Sequence, residues 1–185
     1  MRGRSRLAAI GGVAGPASFI TAWAVLGARA KHYSPIHDPI SRLAAVGAPT
    51  RAGMTTGMLA FVVGAACYAV SAREHLSPRV GALAAVNAAA TLGVAAMPLE
   101  GFGGKFGHMA AAATAYASLA AMPAVSDVRG GRALAAAIGA ALILSGLDDA
   151  HTGFFQRAGL TLGDVFIVGT SLWILRGKQS VPSRA

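Results

Sequence analysis

Residues 52–72 read AGMTTGMLAFVVGAACYAVSA, with Arg51 immediately before them and Arg73 immediately after. No charge interrupts these 21 positions. About 20 apolar residues are what a helix needs to cross a bilayer. The run is rich in Ala and Gly and lacks polar/apolar alternation, so a helix is expected and a strand is not. Comparable runs lie near residues 7–28, 80–99, 108–125, 133–149 and 160–175. The expected fold is therefore all-α. Residues 1–185 form a single integral membrane domain, a bundle of six transmembrane helices.

Composition agrees. The chain is 55% hydrophobic and only 12% charged, with a mean hydropathy of +0.57. A soluble domain carries roughly 25% charge. The net charge of +9 raises the possibility of nucleic acid, but the charges are distributed as topology signals. With the N-terminus cytoplasmic, the inner segments hold Arg2, Arg4, Arg6, Arg73, Arg79, Arg129, Arg132, Arg176, Lys178 and Arg184. The outer segments hold Arg29, Lys31, Arg42, Arg51, Lys105 and Arg157. That bias follows the positive-inside rule. A nucleic-acid surface would need a basic stripe with interleaved aromatics, and none is present. The expected location is the cell membrane, with both termini cytoplasmic. The basic start, the apolar run after it and Ala28-Arg29-Ala30 have the look of a signal peptide. The run is longer than a signal core, so an uncleaved first helix is expected. Cys67 is the only cysteine and forms no internal disulfide.

The outer loops carry the unusual residues. Five of the seven acids and four of the five histidines fall there or at adjoining helix ends. They are Asp38, Glu100, Asp148, Asp149 and Asp164, with His32, His37, His108 and His151. The longest loop, 29–50, reads RAKHYSPIHDPISRLAAVGAPT. Asp38 as N-cap and Pro39 at the first helical position predict a short helix. Ile40, Leu43 and Ala44 share one face of it, so it is expected to lie on the outer surface as an interfacial helix. Small residues must mediate packing within lipid, and Gly11/Gly15 and Gly53/Gly57 have the required spacing.

Ionisable groups at membrane depth are costly and mark candidate sites. Asp164 is the strongest, because it interrupts the sixth apolar run. It stands seven residues after Arg157 on the same helix face, placed to pair with Arg157 or a neighbouring helix. Asp148 and Asp149 are drawn to the hydrocarbon boundary if the fifth run is extended to about 20 residues. Glu100 closes the third run, and His108 opens the fourth. Asn87, Tyr116 and Ser118 are expected to act as interhelical glue.

Several of these residues carry a family resemblance. They are Gly11-Gly12, Gly15-Pro16, Tyr33-Ser34-Pro35, Asp38-Pro39-Ile40-Ser41, Met97-Pro98 followed by an acid, Gly107-His108 and Gln156-Arg157. Together they resemble the bacterial "domain of unknown function 998" membrane proteins over nearly the whole chain. The resemblance implies six transmembrane helices and marks Tyr33, Ser34, Asp38, Ser41, Glu100, His108 and Arg157. His37 departs from the basic residue expected at its position.

Two classes of function follow. The first is a small intramembrane enzyme that cyclises, isomerises or hydrates a lipophilic, isoprenoid-like substrate. Its acids and bases would be Asp164, Glu100, His108, Asp148, Asp149 and Asp38, with Tyr33, Arg157 and Ser41 binding substrate. No cofactor or metal is expected. A zinc-dependent lipid hydrolase ranks lower, because no HxxxH or HExxH spacing is present. The second class is a non-catalytic lipid-binding or assembly protein. Transport through Asp164 is less attractive, because discontinuous helices and inverted repeats are not evident.

Overall fold

The computed structural model describes residues 2–100 and 104–177. Its helices are α1 (Arg2–Ala8), α2 (Gly11–Arg29), α3 (Arg51–His75), α4 (Pro78–Ala96), α5 (Gly104–Ala124), α6 (Gly131–Leu147) and α7 (Thr152–Leu175). A 3₁₀ helix covers Ile40–Ala44. No strand occurs among the described residues. Four segments are long and apolar enough to cross a membrane: Arg4–Arg29, Arg51–His75, Pro78–Ala96 and Thr152–Leu175. The helix α6 is apolar but has 17 residues. The helix α5 has 21 residues, but its His, Thr, Tyr and Ser make it less apolar.

Consecutive helices pack side by side, and α7 returns to α2, closing the ring. The seam between α2 and α3 rests on glycine. A Cβ added at Gly64 would lie 2.6 Å from the Gly15 Cα, so any side chain there would push the backbones apart. Van der Waals contact at this range is the main attraction available between helices in lipid. Gly57 meets Ala22, and Gly53 meets Leu26, further along the same seam. The glycine pairs read from the sequence therefore do form a helix contact. Phe19, Met58, Phe61, Leu119 and Phe166 fill the space that the seam leaves inside the ring.

The helix ends differ from those expected, for identifiable reasons. Ser77 caps α4 by accepting a bond from the Val80 N–H at 3.2 Å, with Pro78 in the first turn. The helix α7 begins at Thr152, eight residues before the expected start, so Gln156 and Arg157 belong to its first turns. The helix α6 stops at Leu147, and Asp148 is extended, so Asp148 and Asp149 lie in a turn.

The loop helix is also corrected. Pro39, not Asp38, is its cap, and the cap residue makes no side-chain hydrogen bond to the first turn. The Asp38 carboxylate turns back to accept the Ser34 N–H at 2.7 Å and pairs with Arg42. Ile40 and Leu43 are 4% and 1% exposed. The short helix therefore plugs the end of the bundle instead of lying along its surface.

Candidate functional site

The inner faces of the helices line up polar residues by helical period. On α7 these are Gln156 and Asp164, with Leu160 between them at four-residue spacing. On α5 they are His108 and Tyr116, and on α4 Asn87 and Thr91. The 3₁₀ helix contributes Ser41 and Ile40 as a roof. All border one cavity of about 70 Å³, completed by apolar side chains such as Phe19, Phe61 and Leu119. A single water needs roughly 10–15 Å³ of such space, so several fit. Gly163 lets α7 approach Leu119 of α5 beside Asp164, where a Cβ would stand 2.5 Å from the leucine.

Asp164 and Asn87 both present acceptors without partners to this cavity. Asp164 is 3% exposed and makes no hydrogen bond or ion pair among the described residues. The expected pairing with Arg157 or a neighbouring helix is not formed. Asn87 donates through Nδ2 to the Ala115 carbonyl at 2.8 Å, but its buried Oδ1 has no partner. Unpaired polar atoms are uncommon in folded proteins, because each retains a desolvation cost. His108 holds its Nδ1 2.8 Å from the Met97 carbonyl. A carbonyl only accepts, so Nδ1 carries the proton, and Nε2 is the acceptor of the neutral ring.

Above the cavity, Gln156 ties three elements together. Its Oε1 accepts the Ile40 N–H at 2.7 Å, and its Nε2 donates to the Tyr116 hydroxyl at 2.5 Å. Arg157 fixes the loop from the other side. Its guanidinium donates to the Pro35 carbonyl at 2.7 Å, the Asp38 carbonyl at 3.1 Å and the Tyr33 hydroxyl. It also lies over the rings of Trp23 and Tyr33, at 5.3 and 5.5 Å. Burial pushes the Tyr33 phenol above its ordinary pKa, and the neighbouring Arg157 charge partly opposes this.

The sequence-predicted residues therefore separate into four groups. Asp164, His108 and Ser41 meet at the cavity. Tyr33 and Arg157 form the loop clamp beside it. Asp38 and Asp148 engage loop backbone: Asp148 accepts the N–H groups of Ala150 and His151 and faces the His151 ring at 3.0 Å. Glu100 and Asp149 are exposed and away from the cavity. His37 contacts the Ala150 carbonyl. His32 lines a separate hollow beside Arg29 and Lys31. Among the described residues no three His, Cys, Asp or Glu side chains gather closely enough to hold a metal ion. His108 lines the cavity, whereas His151 faces Asp148 in the turn before α7. Sequence reasoning had no place for Thr91 or Gln156 in the site. Gln156 was visible only through its family-like neighbour Arg157.

With this geometry in place, a family match becomes informative. The model of "Protein of unknown function (DUF998)" matches residues 13–173. The chain belongs to the DUF998 family. The match runs from α2 to the last turn of α7, so both the cavity and the clamp lie inside the DUF998 region. Comparison with curated proteins and with solved structures gives no match.

Proposed function

We propose that this DUF998 protein is a small intramembrane enzyme that performs acid–base chemistry at the Asp164–His108 cavity. The observation that carries the reading is that two buried residues from different helices, Asp164 on α7 and Asn87 on α4, present acceptors without partners to the same cavity. Asp164 delivers a proton to a double bond or epoxide oxygen of a lipophilic, isoprenoid-like substrate. His108 Nε2 takes a proton from the neighbouring carbon or from an attacking water. Cyclisation, isomerisation and hydration all need this pair of transfers. Pockets that enclose a whole ligand measure roughly 300–1,000 Å³. At about 70 Å³ the cavity takes only the reacting end, and the apolar remainder of the substrate lies among the helices or lipid.

The membrane setting belongs to the same proposal. The helices α2 to α7 make six crossings, with the termini on the cytoplasmic side by the positive-inside rule. At 1.5 Å per residue, the 17 residues of α6 span about 26 Å, against a hydrocarbon core of about 30 Å. A second, non-catalytic reading draws on the loop charges. Asp38, Asp148 and Arg157 all hold loops together, as they would in a lipid-binding or assembly protein.

The test takes Asp164→Asn, His108→Ala and Glu100→Gln separately. It scores folded yield in detergent and depletion of lipophilic compounds from cell extracts. The first two variants should fold and lose turnover, and Glu100→Gln should keep it. Poor yield of the first two, with nothing consumed by the parent protein, would transfer the cluster to the structural reading.

A further inference from the structure

The end of the bundle opposite the cavity's roof carries a larger hollow that the acid–base reading leaves unused. It lies between α7, the last turn of α3 and the start of α6, and measures about 560 Å³. Its walls are apolar: Leu76, Leu134, Val165, Phe166 and Trp173. Val165 is 61% exposed, so the hollow opens toward the surroundings of the bundle. Arg129 and His75 stand at its polar side. A second hollow of about 440 Å³ adjoins it, sharing Asp127 and Val128, and is lined by Arg79 and Arg132. Arg79, Arg129 and Arg132 are exposed. None of the three forms an ion pair or side-chain hydrogen bond among the described residues.

We infer that these joined hollows bind an anionic glycerophospholipid, with one acyl chain in the apolar groove and the phosphate among Arg79, Arg129 and Arg132. Charge complementarity selects the headgroup: three guanidiniums and one carboxylate, Asp127, line the joined hollows. Guanidinium forks match phosphate oxygens two at a time, and they are the usual choice for this ligand. Size and surface select the tail, since the groove falls within the range that encloses an apolar ligand. Trp173 gives the groove an amphipathic wall, the kind of side chain that settles at the headgroup level. The inference requires a membrane setting but is independent of Asp164 and His108.

The experiment is native mass spectrometry of the full chain released from bilayer discs of mixed phosphatidylglycerol and phosphatidylcholine, paired with thermal unfolding in detergent with either lipid added. Each arginine near an anionic surface contributes about fivefold, so three contribute on the order of a hundredfold. The parent should retain phosphatidylglycerol over phosphatidylcholine by a factor of that order, and its unfolding midpoint should rise with it. The triple variant Arg79→Gln, Arg129→Gln, Arg132→Gln should lose the preference while still carrying some lipid. Gly169→Leu should lose both lipids. A Cβ at Gly169 meets nothing within 4 Å, so its side chain enters the groove without a clash.

Equal retention of the two lipids by the parent would overturn the inference. So would a phosphatidylglycerol preference that survives the triple substitution. Equal stabilisation by inorganic phosphate would reduce the site to a phosphate pocket. A lipid-insensitive dimer that Gly169→Leu dissociates would assign the groove to a second copy of the chain.

Discussion

Replacing Asp164 by leucine should make the protein more stable and inactive. Asp164 is 3% exposed, borders a cavity of about 70 Å³ and has no partner among the described residues. A buried polar group left unpaired costs about 1–3 kcal/mol. Cavity volume costs roughly 24 cal/mol per Å³, so filling even half of this one recovers close to 1 kcal/mol. The substitution should therefore stabilise the fold by about 2–4 kcal/mol. For a chain of this length each kcal/mol moves the unfolding midpoint by about 2–4 °C, giving a rise of about 4–16 °C. Asp164→Asn keeps shape and polarity and should move the midpoint little. Thermal unfolding in one detergent, with the parent and both variants side by side, provides the measurement. A fall in midpoint for Asp164→Leu would refute the reasoning, because it would mean that the carboxyl holds the helices together. Functional sites are commonly kept at such a cost to stability.

Two further outcomes follow from the loop clamp. Arg157→Ala removes contacts to the Pro35 and Asp38 carbonyls and the Tyr33 hydroxyl, at about 1 kcal/mol net each. The expected loss is about 3 kcal/mol. Hydrogen exchange should rise across residues 33–44, and Arg157→Lys should recover only part of the loss, because an ammonium lacks the planar fork. The second outcome concerns pH. Burial raises the Tyr33 pKa above its ordinary 10.0, so the folded state holds the phenolic proton more tightly than the unfolded chain. The associated stability is complete below about pH 10 and is lost as pH rises through the raised value. A titration of the unfolding midpoint from pH 8 to 11 should show this decline in the parent and a shallower one in Tyr33→Phe.

The sequence made some of this legible and hid the rest. Each apolar run corresponds to one of the helices α2 to α7, since length and composition are local properties. Asp164 was visible because a carboxylate stands out in an apolar run. Asn87 and Tyr116 were visible as polar interruptions. Their function depends on which way each helix is rotated, and a hydropathy pattern with so many alanines barely constrains rotation. Gln156 was hidden by the misplaced start of α7: the run appears to begin at Leu160, whereas the helix begins within the polar stretch before it. Asp38 and Asp148 illustrate the opposite case. A carboxylate that closes a turn on backbone N–H groups looks, in sequence, the same as one facing a substrate.

The roof of the cavity also has an order of construction. Ile40 and Ser41 are synthesised early, yet the residues that hold this segment in place arrive late: Gln156 bonds to Ile40 across 116 positions, and Arg157 to Pro35 across 122. During chain elongation, helices α2 to α6 can assemble while the first long loop remains without its anchors. Only the last helix brings Asp164, Gln156 and Arg157 together, so the chamber and its cover are completed in a single step. A chain that stopped before α7 would leave Ile40 without the Gln156 bond that seats it, while Leu43 could still pack beside Gly27 of α2.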